Sequence, residues 1–321
     1  MSSKTDIGIR YLISIAVFPL IILLNLLLPD AANRPDQPKN VLNSLLLFYF
    51  GILSIYVLYG HILNKQPTVR VQMVTDISLI FGSFILIWVI FVGKLGFLNT
   101  HSFPDPNTVF KVYMTDFDFL TYQSSKASII RAFLGYFLAL ATAIPLGIFA
   151  GRNLRAFSVS YPFSKVTAHI PPIVYLPYAV AIFPSINHAI IFIIFIGAFW
   201  PILINTMFGV YNIDPKIIEF AKILGANDKR ILAKVIVPAA TPYILAGSLI
   251  GLVVSFVLLT AGEMVGANAG LGFYLMYYFD VGYFDKVVAG ILLISFWVFF
   301  WITFGFDLVQ SRLLRWQRKI G

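Results

Sequence analysis

Long apolar runs separated by short polar segments fill this chain and determine its fold class. Each run approaches the ~20 apolar residues that a helix needs to cross a bilayer. The pattern therefore predicts an all-α fold, a polytopic membrane helical bundle of about eight transmembrane helices. The predicted spans cover residues 8–28, 41–63, 75–97, 126–150, 166–184, 188–210, 241–262 and 287–309.

The composition agrees with a membrane protein. Of the 321 residues, 59% are hydrophobic and 12% are charged, whereas soluble domains carry about 25% charged residues. The first apolar run has no clear small-residue cleavage site and more spans follow it, so we expect a retained span rather than a signal peptide. The sequence contains no cysteine, which excludes disulfides, thiol catalysis and iron–sulfur ligation.

The distribution of charge orients the chain. The formal net charge is +9, and most of the 23 lysines and arginines fall on the side of the predicted bundle that holds both termini. The positive-inside rule places that side in the cytoplasm. Because topology accounts for the excess of positive charge, we expect no nucleic-acid partner.

One polar segment, residues 212–238, lies between two of the long apolar runs. Asp214 is suited to cap a helix, Pro215 to stand at its first position, and Gly225 to end it in a left-handed turn. A second short helix is predicted to begin two or three residues later. The basic residues of the whole loop stand beside isoleucines, so the loop is expected to present charge and apolar surface to a soluble partner.

The chain divides near residue 98. Residues 1–97 hold three simple spans and are predicted to be an N-terminal transmembrane extension, whereas residues 98–321 are predicted to form a core. The core begins with a polar external segment at residues 99–125, which is too long for a tight turn.

Small residues and prolines distinguish the spans of the core. Gly147 and Gly151, and again Gly247 and Gly251, have a spacing that lets helices approach closely. Four prolines lie between residues 170 and 184, so the helix there is predicted to be broken or kinked.

Two ionisable residues at similar depth, Arg131 and Glu263, are candidates for the pathway or a gate, because charge within a span is costly. Two interpretations stay open: the two residues pair with each other, or Arg131 contacts an anionic substrate. Gly270 and Gly272 follow Glu263 and permit the tight backbone turns that a gate or a cavity lining would use. Serines in the spans, such as Ser128, have no histidine nearby in the sequence and are expected to serve as hydrogen-bonding residues of the helices.

No residue is predicted to be catalytic or to bind a metal. The four histidines show no metal-like spacing, and the Gly-x-x-x-x-Gly-Lys-Ser/Thr pattern of ATP-binding loops does not occur. The chain itself is therefore not expected to be an enzyme or to bind a cofactor. A membrane-embedded enzyme stays a weaker alternative, since the sequence shows no catalytic constellation.

The polar segment at residues 212–238 resembles the signature of binding-protein-dependent ABC importer permeases, and it is called the coupling loop from here on. That signature reads Glu-Ala-Ala, three residues, Gly, nine residues, then Ile-x-Leu-Pro. Here Glu219, Ala221, Gly225 and Pro238 stand at the matching positions, with Phe220 in place of the middle alanine. Valines replace the isoleucine and the leucine, which keeps the apolar character.

The resemblance covers most of residues 103–321 and is closest to the nitrate, sulfonate and taurine branch. The segment Ser128–Gly135 and the run from Glu263 to Gly272 are similar to that branch's pattern. Residues 1–75 lie outside it, because permeases of this branch usually have about six spans.

The resemblance implies a type I ABC importer permease core and a set of partners. Two permease subunits, expected to be identical, would enclose the pathway, and each coupling loop would dock on a separate cytoplasmic ABC ATPase that binds ATP and Mg. An extracytoplasmic substrate-binding protein would deliver the solute, and residues 99–125 and 266–286 are the candidates for its docking surface. The implied location is the bacterial or archaeal cytoplasmic (inner) membrane, with both termini cytoplasmic.

The implied solute is a small anion of the nitrate, sulfonate, taurine or bicarbonate kind. The alternative function is an ATPase-independent channel or secondary carrier. Such a carrier should show buried ionisable residues along several spans or inverted repeats, and both are scarce in this sequence.

Overall fold

A computed structural model describes residues 4–31, 39–64, 69–96 and 102–314, and every regular element in these ranges is helical. The predicted all-α class is confirmed. The helices are α1 (Lys4–Leu27), α2 (Asn40–Asn64), α3 (Val69–Trp88), α4 (Pro106–Thr115), α5 (Ser125–Arg152), α6 (Leu154–Ala168), α7 (Leu176–Ile182), α8 (Ile186–Tyr211), α9 (Pro215–Ile223), α10 (Asp228–Ile231), α11 (Val237–Gly266), α12 (Leu271–Val281), α13 (Phe284–Phe300) and α14 (Asp307–Leu313).

Wider π-helical turns extend several of these helices. One follows α3, one precedes α5, one joins α10 to α11, and one joins α13 to α14; they are Val89–Lys94, Phe117–Ser124, Leu232–Ile236 and Trp301–Phe306. Six of the resulting helical stretches are long and apolar enough to cross a membrane: Asn40–Leu58, Val71–Lys94, Phe117–Arg152, Ile186–Tyr211, Asp228–Gly266 and Phe284–Leu313.

The other two predicted spans match shorter apolar helices among the described residues, Ile13–Leu27 and Pro172–Ile182. The total of eight therefore stays a prediction. The span predicted over residues 166–184 is not one continuous helix. Helix α6 ends at Ala168, a 3₁₀ turn covers Pro172–Tyr175, and α7 follows. Consecutive prolines explain the break, since each lacks an amide donor and its ring clashes with the preceding turn.

The described residues form two compact units. The first contains residues up to 117 together with 278–289, and the second contains 118–277 and 290–314. In the first unit, helices α1, α2 and α3 bury an apolar core that includes Phe18, Ile21, Leu42, Leu46, Leu53, Val71 and Ile85. The domain boundary near residue 98 stays a prediction.

In the second unit, helix α8 packs extensively against both α5 and α11, which contact each other over a smaller area. The side of α8 that faces the other two helices is completely buried at Ile190, Ile193, Ile194, Ala198, Ile202 and Met207. A methyl group at Gly147 would lie 2.6 Å from Thr206 Cβ, and one at Gly247 would lie 2.7 Å from the Pro201 carbonyl oxygen. The predicted close approach of helices at these small residues is confirmed.

A single methyl group tests this packing. We expect Gly147→Ala to destabilise the protein by about 1–3 kcal/mol, because α5 and α8 must separate to admit it. Gly51→Ala is the matched control, since nothing lies within 4 Å of the added atom on α2. The measurement is the thermal unfolding midpoint in detergent. Equal midpoints for the two variants would contradict the proposed tight contact.

Candidate functional site

The coupling loop begins with a capped helix. Asp214 stands at the N-cap of α9, where its carboxylate accepts a hydrogen bond of 2.9 Å from the Lys216 amide, and Pro215 occupies the first helical position. Proline suits this position, because its missing amide hydrogen would have no partner there. The predicted start of the helix is confirmed.

The same helix ends in a left-handed turn at Gly225, whose φ is +77°. The Gly225 amide donates to the Lys222 carbonyl at 2.9 Å, and the Ala226 amide donates to the Ala221 carbonyl at 3.0 Å. This pair of bonds is the Schellman motif, which favours glycine at the left-handed position. Helix α10 then begins directly, capped by the Asn227 side chain, so both predicted helices of the loop are confirmed.

Helix α9 has an inner and an outer side. Ile218 and Ala221 pack against a small buried cluster formed by Val210, Ile213, Ile231, Ile236 and Ala240. Four apolar side chains point away from this cluster, with exposed fractions of 52% for Ile217, 64% for Phe220, 81% for Ile223 and 71% for Leu224. Phe220 replaces the middle alanine of the signature. Its exposed position on the outer side explains this departure, because a large ring meets no steric obstacle there.

Charged side chains surround this apolar outer side. Glu219 is exposed, and it lines a cavity of about 380 Å³ together with Arg152, Lys222 and Asp228. The basic residues of the loop are all exposed at Lys216, Lys222, Lys229, Arg230 and Lys234. Pro238 stands within the first turn of α11 and is half-buried, so it fixes the place where the loop returns to the bundle.

A second polar site lies at the opposite end of α11, around the carboxylate of Glu263. This side chain is 1% exposed and accepts hydrogen bonds from Arg131 Nη1 at 2.5 Å, from Ser128 Oγ at 2.7 Å and from the Gly272 amide at 2.9 Å. A buried carboxylate is stable only when such donors compensate for lost hydration. We call this group of contacts the latch.

The guanidinium of Arg131 is bound on several sides. Besides its ion pair with Glu263, Nη1 donates to the Ala269 carbonyl at 2.7 Å and Nε donates to Asn187 Oδ1 at 3.0 Å. Of the two sequence interpretations, the structure contains the ion pair. The contact of Arg131 with substrate stays untested.

Sequence reasoning missed two members of the latch. Ser128 was expected to be a hydrogen-bonding residue of its helix, but its partners were not predicted: its hydroxyl donates to Glu263 and accepts a bond of 2.8 Å from the Leu271 amide. Asn187, near the start of α8, carried only the weak signal of a polar residue beside a long apolar run.

The latch holds the turn between α11 and α12. Gly270 has a φ of +125° and lies directly against the Glu263 carboxylate, so a side chain there would be both strained and obstructed. Gly272 begins α12 and gives its amide to the same carboxylate. One acidic side chain thus connects the end of α11, the turn and the start of α12.

No group of three or more histidine, aspartate or glutamate side chains in the described part of the chain could hold a metal ion. The polar groups of the latch are already paired with one another. The arrangement is suited to holding backbone in place rather than to bond-breaking chemistry.

Two curated relatives share much of the sequence. The taurine transport system permease protein TauC of Escherichia coli (strain K12) is 30% identical over 235 residues, which cover 71% of this chain and 85% of that protein. The nitrate import permease protein NrtB of Leptolyngbya laminosa is 34% identical over 169 residues, covering 53% of this chain and 61% of its own length.

A solved structure shares the fold. Inward-facing MetNI methionine ABC transporter aligns with a TM-score of 0.53 over 62% of this chain and 98% of the aligned chain, at 21% identity. The family described as binding-protein-dependent transport system inner membrane component matches residues 143–318, which is more than half of the chain. The chain therefore belongs to the binding-protein-dependent ABC importer permeases.

Proposed function

We propose that this protein is the transmembrane subunit of an ATP-driven importer and forms the pathway for a small anion. The coupling loop carries this proposal, because it combines the family spacing with an apolar, positively charged outer side that the described residues leave exposed. Family membership and the six membrane-length helices support it.

The energy source is a separate cytoplasmic ATPase that binds ATP and Mg. Its closure would move α9 through the exposed Phe220, Ile223 and Leu224 side chains. Because α9 follows α8 and precedes α11 along the chain, a push on the loop reaches two of the three central helices. Transport systems commonly couple such rigid movements to alternating access.

The proposed solute is an anion of the nitrate, sulfonate, taurine or bicarbonate kind. Two relatives carry names that refer to nitrate and taurine, and both solutes expose negatively charged oxygen atoms. Arg131 is already engaged by Glu263, Ala269 and Asn187, so we assign it to the latch rather than to solute recognition.

The proposed partners outside the membrane and within it follow the same scheme. An external substrate-binding protein docks on residues 99–125 and 266–286, and a second, identical subunit completes the pathway in the cytoplasmic membrane. Exposed apolar and aromatic side chains, which are enriched in protein interfaces, occur in both segments. They include Phe103, Met114, Phe117, Tyr122, Phe279 and Tyr283.

The docking role of the coupling loop is tested by charge reversal. We expect Glu219→Lys to reduce ATP-driven uptake at least about tenfold, since reversing a charge within a complementary interface disfavours the bound state. Arg155→Glu is the control for charge reversal, because Arg155 is also exposed and lies on the predicted cytoplasmic side outside the coupling loop. The assay is uptake of labelled nitrate, bicarbonate, taurine and an alkanesulfonate by cells that lack the gene and carry each variant.

Normal uptake by Glu219→Lys would exclude the docking role. A purified protein that moves solute into liposomes without nucleotide would instead support the channel or carrier alternative. Membrane insertion of each variant is checked by its amount in the membrane fraction.

The latch is tested by removing one or both charges. We expect Glu263→Ala to destabilise the protein by about 3–5 kcal/mol, because Arg131 would stay buried without its counterion. The double variant Arg131→Met, Glu263→Leu should recover much of that loss but not uptake, since the Gly272 amide still lacks its acceptor. Thermal unfolding in detergent and the cellular uptake assay measure the two effects. A Glu263→Ala protein as stable as the reference would refute the latch.

A further inference from the structure

Helices α1 and α2, two of the three helices that precede the family-like part of the chain, share a buried polar cluster with α4. Asn25 of α1 donates through Nδ2 to Asn43 Oδ1 of α2 at 2.9 Å and to Asn107 Oδ1 of α4 at 3.1 Å. Asn107 Nδ2 also lies 3.3 Å from Asn25 Oδ1. The three side chains are 0%, 7% and 2% exposed, respectively.

Such a cluster is specific, because a buried amide without its partners costs free energy. In membrane proteins, asparagine side chains form hydrogen bonds across helices and hold them together. The position of α4 is therefore fixed by side chains that belong to α1 and α2. Asp105 completes the arrangement, since its carboxylate caps α4 by accepting a hydrogen bond of 2.7 Å from the backbone amide of Asn107.

An ion pair fastens the same end of α1 to the end of the α3 segment. Lys94 Nζ lies 2.6 Å from Asp30 Oδ1. It also donates to the backbone carbonyl oxygens of Asn25 and Leu28 at 3.0 Å each. The Ala31 amide donates to the Gly93 carbonyl at 3.2 Å. These contacts hold the backbone beside Asn25 in place, so they also fix the position of the asparagine cluster.

The opposite end of α4 is attached to residues 278–289. Asp116 Oδ2 lies 2.6 Å from Lys286 Nζ, and the Tyr113 hydroxyl donates to the Ala289 carbonyl at 2.6 Å. Burial raises the pKa of the Tyr113 hydroxyl, so this group stays a donor at alkaline pH. Lys286 Nζ also lies 4.3 Å from the centre of the Tyr278 ring.

We infer that α1 and α2 act as a buttress for an external docking platform made of α4 and residues 278–289. Asn25 is the positioning residue at its centre. The inference rests on the proposed function, because the platform consists of parts of the two segments proposed to receive the substrate-binding protein. By this inference, the N-terminal helices α1 and α2 contribute to the capture of the substrate-binding protein.

The buttress itself is tested on the purified permease without any partner. The native chain has no cysteine, so spin labels at Lys111→Cys and Val281→Cys report only on the platform; both native side chains are exposed. We expect a narrow distance distribution in the reference and a broadened or shifted one in Asn25→Leu. Thr75→Val is the control, because the buried Thr75 hydroxyl bonds only within α3.

An unchanged distribution in Asn25→Leu would overturn the inference. In the cellular uptake assay, we expect this variant to raise the solute concentration for half-maximal uptake by about fivefold, the size expected for losing one positioning hydrogen bond. The maximal rate should stay within about twofold, since the coupling loop and the latch are intact.

A broadened distribution with unchanged half-maximal concentration would overturn the role in partner capture. If the reference protein shows no ATP-driven uptake, the proposed function fails, whereas the distance measurement still decides whether Asn25 holds the platform. The two failures are therefore distinguishable.

Discussion

Close contact among α5, α8 and α11 is the constraint on which the second unit depends. Lipid tails are as apolar as the side chains of these helices, so burial alone does not drive the helices together and van der Waals packing must do so. Glycines at 147 and 247 allow that packing. Helix α11 spans 30 residues, or about 45 Å at 1.5 Å per residue. The coupling loop precedes one end of it and the latch occupies the other, so one rigid element connects the two polar sites.

Local features of the fold could be predicted from the sequence because their causes are local. Asp214, Pro215 and Gly225 act through backbone geometry within a few residues, and the structure has the caps and the turn where the sequence placed them. The prolines near residue 171 broke the helix for the same reason. Helix α6 was not predicted, because its sequence mixes polar residues with apolar ones and contains no long apolar run.

Long-range polar contacts were only partly predictable. The similar depth of Arg131 and Glu263 in the membrane suggested that the two side chains could meet. Depth does not define the rotation of each helix around its axis, and that rotation decides whether Ser128 or Asn187 contacts the pair. Asn25 and Asn43 were harder still, because a single amide in an apolar run has the same local pattern whether it bonds to its own helix or to another. Only the three-dimensional arrangement separates these cases.

The outer side of α9 has a consequence for how the cell makes this subunit. Ile223 and Leu224 are 81% and 71% exposed in a loop proposed to lie in water, and contiguous apolar surface of this kind promotes unwanted association. A subunit synthesised in excess of its ATPase would display that surface continuously to proteases and chaperones. Balanced synthesis of the two proteins, with early assembly, would then protect the permease and set how much of it accumulates.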